Sequence, residues 1–196
     1  IHLNNLALLL KETLRLAEAE PLMRQALAID ETNYGPNHPD TAPKLNNLAQ
    51  LLMATGRLED AEDMMLRALM ISEKQDSAHP HIAIELSNLA VLLHRTNRSL
   101  QAEQLMDRAL AIDEAHYRST HPMVAIRLNN LAVLLHETNR SSKAEPLLRR
   151  ALAIVRQTLW AEHPTAQTVL ENYLAVLESL GKSPAEIRAL IAPPVS

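Results

Sequence analysis

The sequence predicts an all-α chain, an α-solenoid of antiparallel helix pairs, and three observations carry that prediction. The first is self-similarity. LNNLAVLL at residues 128–135 recurs as LNNLALLL (3–10), LNNLAQLL (45–52), LSNLAVLL (86–93) and, altered, LENYLAVL (170–177). The starting leucines are 42, 41, 42 and 42 residues apart, and a fixed period of this length marks stacked helical repeats. The second is composition: 47% apolar residues dominated by Leu and Ala, with only three Gly and no Phe, favour helix throughout. The third is punctuation. Pro follows His at 38–39, 79–80, 121–122 and 163–164, and Pro suits the first helical position because it needs no N–H there.

Each repeat reads as two helices. In the first, Leu3, Leu6, Ala7 and Leu10 recur at the i, i+3, i+4, i+7 spacing of an amphipathic helix. A turn near Leu14 leads to a helix over 16–34 with Ala19, Met23, Ala26 and Ile29 on one face. Helices over 39–55 and 58–75 follow, then 80–96 and a second helix to about 117, then 122–138 and a second helix to about 160, then 164–180 and a short 184–192. The turn column reads Leu14, Gly56, Asn97, Asn139, Gly181. Gly and Asn tolerate the left-handed conformation that ends a helix, so the Leu14 turn is expected to be strained or differently shaped. Small residues form their own columns: Ala7, Ala49, Ala90 and Ala132 on first helices, with Ala19, Ala61, Ala102, Ala144 and Ala26, Ala68, Ala109, Ala151 on second helices. They let paired helices approach closely. Residue 174 departs, with Leu in the alanine column. Pro21, Pro43 and Pro146 fall about a turn inside helices, where slight bends are expected. At the end, Ser183-Pro184-Ala185-Glu186 forms a capping box that opens a short terminal helix, and Pro193-Pro194 stops it. The result is one helical-repeat domain over 1–196, with repeats at about 1–36, 37–77, 78–119, 120–161 and 162–196.

The large–x2–large–small–x2–large pattern of the first helix, followed by Ala-x3-large-x2-Ala on the second, resembles the tetratricopeptide repeat. The 42-residue period, the LNNLA core, the AEPLxRRALAI second helix and the G-P-x-H-P-D linker are similar to its kinesin light chain type. This resemblance implies a right-handed superhelix whose first helices line a concave, peptide-binding groove. Residue 1 falls inside a helix of the pattern, so the sequence reads as the C-terminal part of a longer array with an uncapped N-terminal edge.

Charge and residue inventory narrow the activity. A formal charge of −4 and a pI of about 6.1 provide no basic field for nucleic acid or an anionic membrane. No apolar run approaches the ~18 residues of a membrane span. Cysteine is absent, which removes disulfides, thiolate metal sites and thiol nucleophiles. The His-Pro histidines of neighbouring repeats lie roughly 10 Å apart by helix-packing distances, too far to share a metal. His79 and His81 lack a third ligand. His94-Arg95 and His136-Glu137 occupy one column, but no nucleophile, oxyanion donor or phosphate loop accompanies them. The chain is therefore read as non-enzymatic, with no cofactor and no metal site, and its compartment as the cytoplasm.

On a helical wheel Leu128, Leu131, Ala132 and Leu135 form a core stripe, while Asn130, Val133 and Glu137 lie nearly opposite. That second stripe carries Asn5, Asn47, Asn88, Asn130 and Asn172, one in every copy. Two readings stay open: the amides bond the adjacent repeat's backbone, or they form a ladder for the backbone of an extended ligand. The resemblance places them in the groove, with Lys11, Gln50, Met53, His94, Arg95, His136 and Glu137 as the variable neighbours that set specificity. A chaperone-type carboxylate clamp does not fit, since its columns hold Asn4, Asn46, Ser87 and Asn129. The expected partner is a protein or peptide segment bound by a scaffold. A regulatory arm of a larger protein and a homotypic assembly module, self-associating through the N-terminal edge, are the alternatives.

Overall fold

The computed structural model describes residues 2–159 and 163–192. Among them lie ten helices and no strand: α1 (His2–Glu12), α2 (Leu16–Tyr34), α3 (Thr41–Ala54), α4 (Leu58–Gln75), α5 (Pro80–Arg95), α6 (Ser99–His116), α7 (Pro122–Glu137), α8 (Ser141–Thr158), α9 (Pro164–Ser179) and α10 (Pro184–Ile191). The architecture is the all-α array of helix pairs that the repeat period predicts. The chain divides into two compact units, Ile1–Leu105 and Met106–Ser196. The expected stop at Pro193-Pro194 lies outside the described residues, as does the expected α8 end at Trp160.

In the first unit α1 packs on α2, α3 on α4, and α5 on both α4 and α3. Alanine makes the close crossings possible, and Ala7, Ala49, Ala90, Ala19, Ala61 and Ala68 are all buried. Each turn is a Schellman closure. Arg15 N–H donates to the Leu10 carbonyl at 2.8 Å, Arg57 to Leu52 at 2.9 Å and Arg98 to Leu93 at 2.8 Å, with a left-handed residue in between. Leu14 takes that conformation at φ 60° just as Asn97 does at 61°. The Leu14 turn is thus not differently shaped; it holds the same shape with a β-carbon that disfavours it.

Three expectations change here. Helix α3 starts at Thr41, not 39, because Pro43 has no N–H to donate to the Pro39 carbonyl; Ala42 N–H reaches that carbonyl instead at 3.1 Å. Pro43 then sits in the first turn of its helix, where the missing donor costs little. Ile29, assigned to the buried face of α2, is 44% exposed, and Leu27 takes its place in the core. Leu6 and Leu9 of α1 are also exposed, although the same columns are buried as Leu48 and Leu51 in α3 and as Leu89 and Leu92 in α5.

In the second unit α7 packs on α8, and α9 packs on α8 and α7. Its crossings are again buried alanines, Ala132, Ala144 and Ala151. The fifth copy differs: Tyr173 replaces the core leucine and is fully buried, while the bulkier Leu174 in the alanine column is half-buried. The His-Pro pairs are helix starters. In both units the imidazole Nδ1 accepts from the backbone N–H two residues on: His79 from His81 at 3.1 Å, His121 from Met123 at 3.2 Å and His163 from Thr165 at 3.2 Å. His38 does likewise for Asp40. Helix α10 opens with the capping box of Ser183 and Glu186. Arg156 of α8 donates to its last carbonyls, at Ile191 and Ala192.

Candidate functional site

Burial divides α3, α5 and α7 as the helical wheel does; on α1 and α9 the division is incomplete, with Leu6 exposed and Leu174 half-buried. On α7, Leu128, Leu131, Ala132 and Leu135 are buried, Asn130 and Val133 are half-buried and Glu137 is exposed. On α5, Asn88 is half-buried beside Val91, which is 40% exposed, and the exposed Arg95. On α3, Asn47 and Gln50 are half-buried; on α1, Asn5 is exposed and Leu8 half-buried; on α9, Asn172 is half-buried. Each unit therefore presents a strip of asparagines with variable neighbours on its more open side: Asn5, Asn47 and Asn88 in the first, Asn130 and Asn172 in the second.

The amides are partly spent within the protein. Asn88 Nδ2 donates to Asn46 Oδ1 at 3.2 Å, and Asn172 Nδ2 donates to Asn129 Oδ1 at 2.8 Å. The acceptor is the neighbouring first helix's side chain rather than its backbone. Asn46 and Asn129 are buried, so they belong to the seam between repeats and not to an open clamp column. Their role was readable in principle: the position after the first leucine is polar in every copy (Asn4, Asn46, Ser87, Asn129, Glu171), although it flanks the core stripe.

Other candidate residues also hold the repeats in register. Lys11 Nζ donates to Gln50 Oε1 at 2.7 Å, and burial of the ammonium holds its pKa below the usual lysine range, with Glu12 opposing. Arg95 Nη1 donates to the Met53 carbonyl at 3.2 Å. His94 Nδ1 lies 2.9 Å from Ser99 Oγ, and His136 Nδ1 lies 2.9 Å from Ser141 Oγ. Each imidazole thus ties the end of a first helix to the start of the second.

A set of residues that sequence reasoning overlooked lies at the junctions where a second helix meets the next first helix. The residue before each first leucine pairs with one from the preceding second helix. Lys44 meets Asp30, and Glu85 meets the Ser72 hydroxyl at 2.9 Å. Arg127 meets Asp113 at 2.8 Å, with both side chains buried. At the last junction the two columns hold Val169 and Val155, both buried. The signal was covariation down the columns: Asp30, Ser72, Asp113, Val155 against Lys44, Glu85, Arg127, Val169. Charged ladders along the second helices add to this. Glu20 accepts from Arg57 and Arg24, which hold its carboxyl below the usual range, while Glu62 pairs with Arg98 and Glu114 with Arg150.

The first unit has a cleft of about 240 Å³ lined by Pro43, Ser72, Asp76, His79, His81 and Ile82. The second has a hollow of about 280 Å³ between Glu145, Leu177, Leu180 and Leu190. Among the described residues no three His, Asp or Glu side chains are grouped to hold a metal, and no helix is long and apolar enough to cross a membrane.

The family model of the tetratricopeptide repeat matches residues 1–74 and 81–157. No curated protein matches the chain. Among solved structures the chain resembles a putative kinesin light chain from Podosopora anserina with nearly identical TPR-like repeats, at a TM-score of 0.80 and 24% identity, over 97% of this chain and 90% of that one. It also resembles BtubC (BKLC) from P. vanneervenii, at a TM-score of 0.83 and 24% identity, over 96% and 75% of the two chains. The apo form of RapI superposes at a TM-score of 0.72 with 14% identity, over 94% of this chain and 51% of that one. At these identities the shared property is the fold, including that of kinesin light chain-type repeats.

Proposed function

Because the chain belongs to the tetratricopeptide repeat family, we propose that it is a protein-interaction scaffold that holds an extended peptide segment along its first helices. The observation that carries this reading is the strip beside Asn88, where Val91 stands 40% exposed between an amide and Arg95. The support is recurrence rather than exposure alone: α7 repeats the arrangement with Asn130, Val133 and Glu137, so an apolar side chain stands at the same place beside the amide in both units. The Asn88 amide has two N–H donors and an acceptor oxygen, and its bond to Asn46 uses one donor. The neighbours then set specificity: Leu8, Gln50 and Val91 in the first unit, Val133 and Glu137 in the second. First helices roughly 10 Å apart match about three residues of an extended chain at ~3.1–3.3 Å each, so the ligand is read in a three-residue register.

The test is selection of binders from a random peptide display library, followed by calorimetry of a selected peptide on Val91→Glu and Val133→Glu variants with unchanged circular dichroism. The expected loss is about tenfold or more, the equivalent of ~1.4 kcal/mol. Selected peptides that bind both variants with undiminished affinity overturn the reading.

A further inference from the structure

Three of the four junctions join matched partners. Two hold a carboxylate against a lysine or an arginine, and one holds two valines. The α4–α5 junction is the exception. Serine stands where the two charged junctions have aspartate, and glutamate stands where they have a cation.

Glu85 is 2% exposed. Its Oε1 accepts from Ser72 Oγ at 2.9 Å, while its Oε2 is buried with no hydrogen-bond partner. Beside this carboxylate lies His81, one turn earlier on α5, whose Nε2 is 3.3 Å from Oε1 without hydrogen-bond alignment and which offers a counter-charge only when protonated. The other titratable group acting on Glu85 is Glu73 of α4, which is like-charged. The adjoining cleft receives Pro39 from the loop before α3, Ala42 and Pro43 from α3, Gln75 from the end of α4, Asp76 after it, and His79, the cap of α5. Among the described residues lining the cleft there is no lysine or arginine.

We propose that the α4–α5 junction is a proton-operated joint, in which Glu85 takes up a proton from solvent to tighten the packing of α5 on α4 and releases it to loosen that packing. When His81 is uncharged, an ionised Glu85 is buried with only the Ser72 hydroxyl as a partner. Burial pushes its carboxyl above the usual range; Ser72 and His81 oppose that push and Glu73 adds to it. A carboxyl whose pKa is raised by folding favours the folded state most when protonated, and that advantage is lost as pH rises through the folded value. The joint is therefore tight in acid and loose in mild alkali. Helix α5 also carries Asn88 and Val91, so loosening it shifts the proposed binding strip. That consequence rests on the groove reading, whereas the joint itself does not.

The experiment compares thermal midpoints of the whole chain from about pH 4 to about pH 8 with those of Glu85→Gln, the neutral mimic, and of Ser72→Asp/Glu85→Lys, which installs the pair seen at Asp30 and Lys44. The expected result is that the Glu85→Gln and wild-type midpoints coincide in acid and that the variant's becomes higher by at least about 2 °C at the alkaline end. The double variant loses the same decline. A difference between Glu85→Gln and wild type that stays constant across pH overturns the proposal. If Glu85→Gln does not fold, a double variant with the same pH dependence as wild type overturns it.

Discussion

At the α6–α7 junction a carboxylate and a guanidinium are buried against each other, Asp113 with Arg127. At the α8–α9 junction the same two columns hold Val155 and Val169, equally buried. Both lie within one compact unit, so the molecule itself carries a double substitution of a buried ion pair by a pair of apolar side chains. The difference teaches that repeat stacking requires the two columns to match each other, not to be charged. Desolvating two ions costs about as much as their attraction returns, so the ion pair and the valine pair serve as alternatives of similar net worth. Half of either is the costly state.

The largest expected effect follows directly. Arg127→Ala leaves Asp113, fully buried, without its cation and removes the packing of the arginine stem, and it is expected to cost ~3–5 kcal/mol in urea unfolding. Asp113→Val/Arg127→Val copies the last junction and is expected to range from neutral to ~1–4 kcal/mol more stable than wild type. A single variant that costs under ~1 kcal/mol breaks the comparison, because Asp113 then does not depend on the pair. A double variant as weak as the single one means that side-chain shape, rather than charge matching, governs the junction.

A second difference separates the last repeat from the others. In the first unit Glu20 is held by Arg57 and, one repeat on, Glu62 by Arg98. In the second unit Glu145 accepts from the hydroxyl of Tyr173 at 2.9 Å. Tyr173→Phe removes a hydrogen bond to a charged group at a fully buried site and is expected to cost about 1.5–3 kcal/mol. Burial, and next the bond to Glu145, push the Tyr173 hydroxyl up to about 12. The folded value lies above the unfolded one, so this contribution is whole below about pH 10 and is lost as pH rises toward the folded value. Thermal midpoints of wild type and Tyr173→Phe are therefore expected to converge in strong alkali. A constant gap across that range detaches the hydroxyl from Glu145.

These two pairs also show where the sequence was legible and where it was not. Helices α2 (Leu16–Tyr34) and α4 (Leu58–Gln75) follow residue for residue from periodicity and the turn column, because both signals are local to a helix. The split of each first helix into a core stripe and an asparagine stripe is equally local. Which residues meet across a seam is not. Asp113 and Arg127 belong to different helices, and only the comparison of columns links them. Asn88 was rightly set apart from the core, but its bond to Asn46 joins two positions 42 residues apart in sequence. Ile29 shows the same limit: Ile71 and Ile154 in its column are buried while it is exposed, so burial there depends on what packs from beyond the helix pair.

The smallest effect concerns the turns, where one column again holds different chemistry in an identical frame. The Leu14 and Asn97 turns close with matching bonds, Arg15 N–H to Leu10 and Arg98 N–H to Leu93, both at 2.8 Å, and with φ values of 60° and 61°. In that conformation a leucine β-carbon crowds the following carbonyl at a cost of about 1–2 kcal/mol, whereas asparagine offsets part of this through its short polar side chain. Leu14 is 84% exposed, so replacing it sacrifices little burial. Leu14→Asn is expected to raise stability by about 0.5–1 kcal/mol in urea unfolding. Leu14→Gly is expected to gain less, since glycine relieves the strain but adds freedom to the unfolded chain. If Leu14→Asn destabilises the protein, the leucine contributes packing that outweighs its strain, and the turn column is not interchangeable in the way the junction columns are.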